Sequence, residues 1–477
     1  MKKFLLFLIL IAVLGGGVYY YRAMIFPDRG NTLRVVMNTG ATDISPYALN
    51  LNNTTRIRNI YEGLVSFNKN LKIAPALAVS WGNLDSTHWE FRLREGVKFH
   101  DGSDFSAQNV VDCFNKAKNS SDSQIASYIS TIEDVSISSK NRIVVTTHSP
   151  DPLLLSKLTK IFIYKDNNIG TGPYMLDEWI QGKRFSLKAF PDYWGEAPFF
   201  PQAEYEVISN RSEREKAFAE GEIDILVGLT EEQALDLPKD QVITNYGLEV
   251  NFLMFQLDDP VFEDRNIREA IQTLIDPDEV EEIGNHFVRR SNQFIAEGVF
   301  GYNKEIPYFK YDPENEARDL FGKRLQPIRL DYLASYGTLV QYLKNKLRLA
   351  GFSVTETADQ PDDLLEKIGR NESSFFLIGW RAEDGDAGGF FDAFIHSDGL
   401  YNNGRYSNPE VDELIEQSRT EMDPQKRLVM LQEISAKVSE DLIGIPLFET
   451  SRLYGIDKGV LWEPRLDGEV LAAEISR

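Results

Sequence analysis

In WEFRLR (89–94) the apolar residues Trp89, Phe91 and Leu93 alternate with Glu90, Arg92 and Arg94, a period of two that predicts a strand with one buried face. LRVVM (33–37) reads as a short strand. TTRIRNIYEGLV, with Ile57, Ile60, Tyr61 and Leu64 at helical spacing, predicts a helix through that stretch. A turn at His100-Asp101-Gly102 leads to a helix over about 106–118, then to strands near 134–138 and 142–147. Together these elements predict a small α+β unit.

From Gly170 onward strands and helices alternate. AEYEVIS is a strand, Ser212 and Glu215 have the spacing of a capping box that opens a helix, Gly221 can close that helix, and IDILVGL is the next strand. The rhythm is clearer further on. IRLDYLA (328–334) is a strand, and TLVQYLKNKLRLA is a helix with Leu339, Leu343 and Leu347 on one face and Gly351 at its end. FSVTET, the helix PDDLLEKIGR and the apolar strand SFFLIGW (374–380) follow. Such alternation predicts an α/β fold with a mostly parallel, doubly wound sheet, in which ligands bind beyond the carboxyl ends of the strands. Two helical runs, PEVDELIEQSR and PQKRLVMLQEISAKVSED, precede a last strand, IGIPLFE. At 477 residues the chain exceeds the roughly 250–300 residues over which one core keeps growing, so two or more domains are expected.

SFFLIGW runs directly into an acidic loop, which places Glu383, Asp384 and Asp386 at the ligand edge beside Trp380 and Arg381. Carboxylates this close repel one another, so water, a metal ion or a cation must compensate. EDGDAGG alternates oxygens with glycines as calcium loops do, yet it lacks the D-x-D-x-D-G order and the distal Glu of an EF-hand. A strand-end carboxylate beside Trp380 can instead hold an ammonium by charge-assisted hydrogen bonds, with the indole adding apolar or cation–π contact. Arg381 either neutralises a neighbouring acid or binds a ligand carboxylate. A solvated loop without a ligand is the third reading.

Composition narrows the classes. Hydrophobic content of 42% indicates a globular chain. A net charge of −22 without a Lys/Arg stripe argues against a nucleic-acid partner. Cys113, the single cysteine, lies in the helical run FSAQNVVDCFNKA with Val110, Val111, Phe114 and Ala117, and reads as a small buried hydrophobe. The five histidines share no metal-type spacing, and no H-E-x-x-H, G-x-S-x-G, S-x-x-K or Walker A pattern occurs. No enzyme, cofactor or metal is therefore expected. The N-terminus differs in kind: Lys2 and Lys3 precede an apolar run from Phe4 to Tyr21, about 27 Å as a helix. Residues 1–30 are either a signal peptide, with the small residues Gly15 and Gly17 after the apolar core, or an uncleaved anchor ending in Tyr19–Tyr21. Both readings export the rest.

Six stretches, in order, resemble the bacterial extracellular solute-binding protein family 5, the dipeptide- and oligopeptide-binding proteins of ABC importers. They are YEGLVSFNKNLKIAPALAVSW (61–81), WEFRLREGVKFHDGSDFSAQNVV (89–111), GTGPYMLDEWIQGKRFSLKAFPDYWG (170–195), EGEIDILVG (220–228), FEDRNIREAIQTLID (262–276) and YNNGRYSNPEVDELI (401–415). The resemblance implies a two-lobed periplasmic-binding-protein clamshell with an additional small α+β domain. One lobe would combine 31–47, 165–246 and 445–477, the small domain would be 48–164, and the second lobe 247–444. It further implies a receptor that captures a peptide or other small cationic solute between the lobes and delivers it to ABC permease subunits. In peptide-binding relatives an Asp three residues after a Trp pairs with the peptide ammonium; here that position is Glu383, with Asp384 and Asp386 as neighbours. In dipeptide-binding relatives an Arg for the ligand carboxylate follows the strand matching IRLDYLA; here ASYG (334–337) has none, which puts plain dipeptide specificity in doubt. An N-terminal tether to the cytoplasmic membrane would depart from the family habit, and would also suit a membrane-anchored sensor or assembly partner that uses the fold without transport.

Overall fold

Two long strands, Val242–Phe255 and Gly444–Ile456, pair antiparallel at the centre of the computed structural model, which describes residues 32–313, 327–370 and 372–477. At one end, Ile225–Val227 pairs antiparallel with Gly444–Ile456 through Ile225 and Ile456. Thr32–Met37 lies between Ile225–Val227 and Gln202–Val207, parallel to both, and Arg184–Ala189 and Tyr174–Ile180 extend that side. At the other end Phe375–Arg381 pairs antiparallel with Val242–Phe255, and Ile328–Leu333 and Val354–Asp359 continue from it in parallel. The expected parallel order thus exists as two separate triplets of strands, one in each lobe. The centre joining them is antiparallel, which the alternation of strands and helices did not indicate.

Both faces of the central pair are covered, which explains the nearly unbroken apolar run at the end of Val242–Phe255. Val250, Phe252 and Met254 pack with Phe294, Phe390 and Phe394 on one face. Leu253 and Phe255 pack with Phe375, Leu377 and Ile445 on the other. The pairing is irregular where the lobes meet: Tyr246 faces Ser451 and Val250 faces Glu449, so residues 247–249 lie opposite Thr450 alone. An insertion of this kind bends a strand and increases its local twist.

The small unit has its own antiparallel sheet, Ala78–Asn83, His88–Leu93, Arg142–Thr147 and Ile132–Ser139 in spatial order. Trp89, Phe91 and Leu93 point inward, as their alternation predicts. The helix Ala107–Lys118 brings Val110, Cys113 and Phe114 into the core, and burial pushes the Cys113 thiol up to about 11, so it is an inert hydrophobe at neutral pH. His100 is structural, its Nε2 donating to the Gly172 carbonyl at 3.0 Å.

Two local expectations are corrected. The helix near residue 57 is Leu51–Ile57 and stops there. Asn59 Nδ2 bonds the Thr55 and Arg56 carbonyls, and Glu62–Gly63 pairs with Phe162–Ile163 as a strand. Ile57, Ile60, Tyr61 and Leu64 are all buried, so their spacing records burial on two successive elements and not one helix. The helix Arg211–Ala219 is capped by Asn210, which accepts from the Glu213 amide, while Ser212 lies inside it and Glu215 bonds Arg211 and Gln233. Gly221 does end that helix region, at φ 71°. The expected signal peptide or anchor at 1–30 lies outside the described residues. Among the described residues no helix is long and apolar enough to cross a membrane.

The shared motifs join the small unit to its lobe. Glu62, from YEGL, accepts from Thr171 Oγ1 (2.8 Å), from Trp194 Nε1 (2.9 Å) and from Tyr193 OH (3.1 Å), the last two residues belonging to PDYWG. Arg94 lies 3.8 Å above the Trp194 ring. Burial pushes the Glu62 carboxyl up to about 7, against the pull of Trp194, Thr171, Tyr193 and Arg94. A raised acid pKa binds more protons folded than unfolded, so this group's contribution to stability is present at low pH and is lost as pH rises from 4.5 to about 7. Unfolding midpoints measured across that window are expected to fall for the wild type and to fall less for Glu62→Gln.

Candidate functional site

The apolar strand Phe375–Arg381 leaves the core at Trp380 and delivers the acidic loop to the edge of the second lobe. The Trp380 ring packs edge-on against Phe394, with centroids 5.2 Å apart, so its position is set by the core. Gly379 is required by the neighbouring strand: a Cβ there would lie 2.8 Å from Asn251 Oδ1 and 2.9 Å from Glu249 Oε1. After Arg381 the chain turns tightly, Gly385 donating to the Ala382 carbonyl with φ 67°. It then docks on Phe300, whose N–H bonds the Gly385 carbonyl at 2.8 Å.

The five residues singled out by sequence have different fates. Asp386 turns into the protein, where its Oδ2 and Oδ1 accept from Arg427 Nη1 (2.5 Å) and Nη2 (2.8 Å), and Oδ1 also from the Gly388 amide. Asp386 and Arg427 are both buried, so both oxygens are committed internally. Glu383 is exposed. Arg381 donates from Nη2 to the Asp467 carbonyl at 2.5 Å, which ties the loop to the C-terminal segment. Asp384 is oriented towards the small unit. Burial raises its pKa, Lys160 opposes that rise, Glu383 and Asp386 add to it, and Lys157 also opposes it. The Tyr128 phenol is pushed up by burial, by the Asp384 and Glu383 carboxylates, and by its side-chain hydrogen bond with Asp384.

Three polar atoms of this short stretch are withdrawn from water without a hydrogen-bond partner among the described residues: Trp380 Nε1, Arg381 Nε and Asp384 Oδ1. Sixteen side-chain atoms among the described residues are in that state, and three of them fall within five positions here. Two are donors and one is an acceptor. Glu383 adds an exposed carboxylate beside them.

Behind this edge lies a polar cluster at the crossing of the long strands. Glu449 is 3% exposed and is held by Arg289 and by the Glu297 amide. Burial raises the pKa of Glu449 and of Glu249; Arg289 opposes it for the first, and Arg452 and Asn251 for the second. Tyr336, from the ASYG segment, donates to Asn251 Oδ1, and Asn251 Nδ2 donates to Thr450 Oγ1 at 2.6 Å. The segment without the carboxylate-binding Arg thus supplies a tyrosine that braces the strand crossing.

Sequence reasoning missed Arg427, Tyr128, Lys157 and Lys160. Arg427 had a signal, because it shares an apolar stripe with Leu431, Ile434 and Val438 on the helix Pro424–Asp441, and a charge there demands a buried partner. The other three lie some 220 to 260 positions before the loop, and no local pattern connects them to it.

Two lobes that share a pair of crossing strands define a two-lobed binding-protein fold. A family model described as "Bacterial extracellular solute-binding proteins, family 5 Middle" matches residues 72–402, and the chain belongs to that family. It is 23% identical over 442 residues to the nickel-binding protein NikA of Staphylococcus aureus, covering 87% of each chain. It is 21% identical over 431 residues to the dipeptide-binding protein of Escherichia coli, covering 77% of this chain and 79% of that one. Its fold matches the periplasmic murein tripeptide-binding protein MppA in an unliganded open form, with a TM-score of 0.83 at 17% identity over 94% of this chain and 97% of that one.

The buried pair and the exposed acid separate cleanly in a stability experiment. Arg427→Met leaves Asp386 as an uncompensated buried charge and is expected to cost about 3–5 kcal/mol in denaturant unfolding. Glu383→Gln is expected to stay within about 0.5 kcal/mol of wild type.

Proposed function

We propose that this protein is the receptor of an ABC importer and binds a peptide between its lobes, with residues 31–47, 165–246 and 445–477 moving as one lobe, 48–164 as its small domain and 247–444 as the second lobe. The observation that carries the reading is the set of orphaned atoms at the strand end: the donors Trp380 Nε1 and Arg381 Nε and the acceptor Asp384 Oδ1. A peptide backbone offers carbonyls to the first two, and its ammonium or an N–H to the third. Glu383 and Asp384 supply the negative charge for the ammonium. Asp386, bound to Arg427, contributes by holding the loop's shape. The absence of an Arg in ASYG (334–337) favours peptides recognised along their backbone over dipeptides gripped at both termini. Membership of the family and the dipeptide-binding relative support this assignment. The apolar run at 4–21 would tether the receptor to the cytoplasmic membrane beside its permease.

Native mass spectrometry of the exported protein, purified gently from its own compartment, tests the reading. A ladder of peptide masses released on denaturation is expected; a protein found consistently with a stable protein partner and no small ligand would point to a sensor or assembly role. For a peptide so identified, Asp384→Asn is expected to weaken binding by roughly 1.5–3 kcal/mol, the range for a charged hydrogen bond, and N-acetylation to cost a similar amount. Glu383→Gln should cost less, because that carboxylate is exposed.

A further inference from the structure

The lobe that carries the acidic loop also encloses a cavity of about 170 Å³. Its walls come from the segments 292–295 and 307–309, from the last turns of the helix Pro424–Asp441, and from Phe391. The cavity is separate from the cleft edge. Gly444, in its wall, pairs with Met254, whereas Arg381 pairs with Glu249, five residues away on the same strand, or roughly 17 Å. None of the lining residues is charged, although charged residues make up 26% of the chain. An ion entering the cavity would lose its hydration and meet no counter-charge, so the walls select against ions. Phe294, Phe309 and Phe391 supply aromatic surface. Phe391 opens the π-helical turn Phe391–Ile395, in which the His396 N–H donates to the Phe391 carbonyl at 2.8 Å; such turns recur at functional sites.

The polar groups of the wall are of two kinds. The amides of Asn292 and Gln293 are committed to the wall itself. Asn292 Nδ2 donates to the Ile306 carbonyl, Gln293 Nε2 donates to the Asn303 carbonyl at 2.8 Å, and Gln293 Oε1 accepts from the Asn303 N–H at 3.0 Å. Ser435 is different. It is 5% exposed, it lines the cavity, and its Oγ has no hydrogen-bond partner among the described residues. A serine inside a helix can bond back to the carbonyl one turn earlier, and Ser435 does not. One hydroxyl, able to donate and to accept, is thus left over in an uncharged, aromatic-walled space.

We propose that this cavity binds an uncharged molecule of about one ring, its apolar body against Phe294, Phe309 and Phe391 and one hydroxyl or carbonyl on Ser435 Oγ. An apolar protein cavity of about 150 Å³ accepts benzene, so the volume suits a single ring. Apolar walls with one convergent polar group are the usual composition of a small-molecule site. Pro307 and Tyr308 are exposed at the outer wall and mark the route in. The site goes beyond the peptide-receptor reading and does not rest on it.

The test uses the full chain and fluorine NMR titrations with three probes: para-fluorophenol, fluorobenzene, which has the ring without the hydroxyl, and para-fluorobenzoate, which carries a charge. Saturable binding of para-fluorophenol is expected, with no displacement of it by para-fluorobenzoate. Ser435→Ala is expected to weaken para-fluorophenol by roughly threefold to tenfold, the scale of one hydrogen bond, and to leave fluorobenzene unchanged. Alanine is favourable inside a helix, so this variant keeps its fold. Absence of saturable binding by either neutral ring, the result for a cavity that holds water only, would overturn the proposal. So would a para-fluorophenol affinity unchanged in Ser435→Ala, a loss shared equally by fluorobenzene, or displacement by para-fluorobenzoate. The probes carry neither an ammonium nor a peptide backbone, so no outcome bears on what the cleft captures.

Discussion

Everything in this molecule that involves two lobes depends on one antiparallel pair of strands. Val242–Phe255 and Gly444–Ile456 are hydrogen-bonded into the first lobe at one end and into the second at the other, so neither lobe has a complete sheet without them. The backbone hydrogen bonds of a sheet resist shear and stretching, yet a strand can bend and twist where its ladder is interrupted. The ladder is interrupted at 247–249 and shifts again between Asn251 and Phe252. The ladder is thus irregular over a short stretch, with a parallel triplet of strands on either side of it.

The same stretch concentrates charge. Glu249 and Glu449 are held at the crossing by Arg452, Asn251 and Arg289, with Tyr336 bracing Asn251 from the next segment. Apolar side chains would bury this region more favourably, but they would fuse the two cores into one. A cluster of paired polar groups therefore occupies the crossing, each held by its neighbours. The two lobes nevertheless keep a specific relative placement, because the C-terminal segment spans the junction: Arg381 and Arg452 both donate to the Asp467 carbonyl, and Arg465 binds Asp467 and the Phe67 carbonyl.

The parts that sequence made legible are those with a short period. The alternation of Trp89, Phe91 and Leu93, the stripe of Leu339, Leu343 and Leu347, and the strands around both parallel triplets were readable because burial imposes a two- or 3.6-residue repeat. The stretch from Ile57 to Leu64 misled because a helix end and a strand both bury their residues, and the period cannot tell one continuous element from two. The cap at Asn210 was missed in favour of Ser212 because two capping residues stood two positions apart and only backbone geometry chooses between them. The antiparallel centre was not readable at all, since its partner strands are some 200 positions apart and nothing local encodes which edge they share. The exit of the acidic loop from the core was legible for a different reason: a strand that runs apolar to its end must leave the core before it meets three acids, although Asp386 then turns back inward to Arg427.

How those three acids divide follows from where desolvation can be compensated. Asp386 can be fully buried because Arg427 meets both its oxygens in a bidentate fork, and without that fork the loop would not turn inward behind Gly385. Glu383 needs no partner because water solvates it. Asp384 stands between these cases, shielded from water and without a hydrogen-bond partner for Oδ1 among the described residues, with Lys160 and Lys157 moderating its charge from across the junction. A carboxylate in that state is costly to the isolated protein, and the cost falls when a cation arrives. A cation that reached Asp384 would therefore meet a carboxylate already shielded from water, and Asp386 contributes indirectly by fixing the geometry of the loop that carries Asp384.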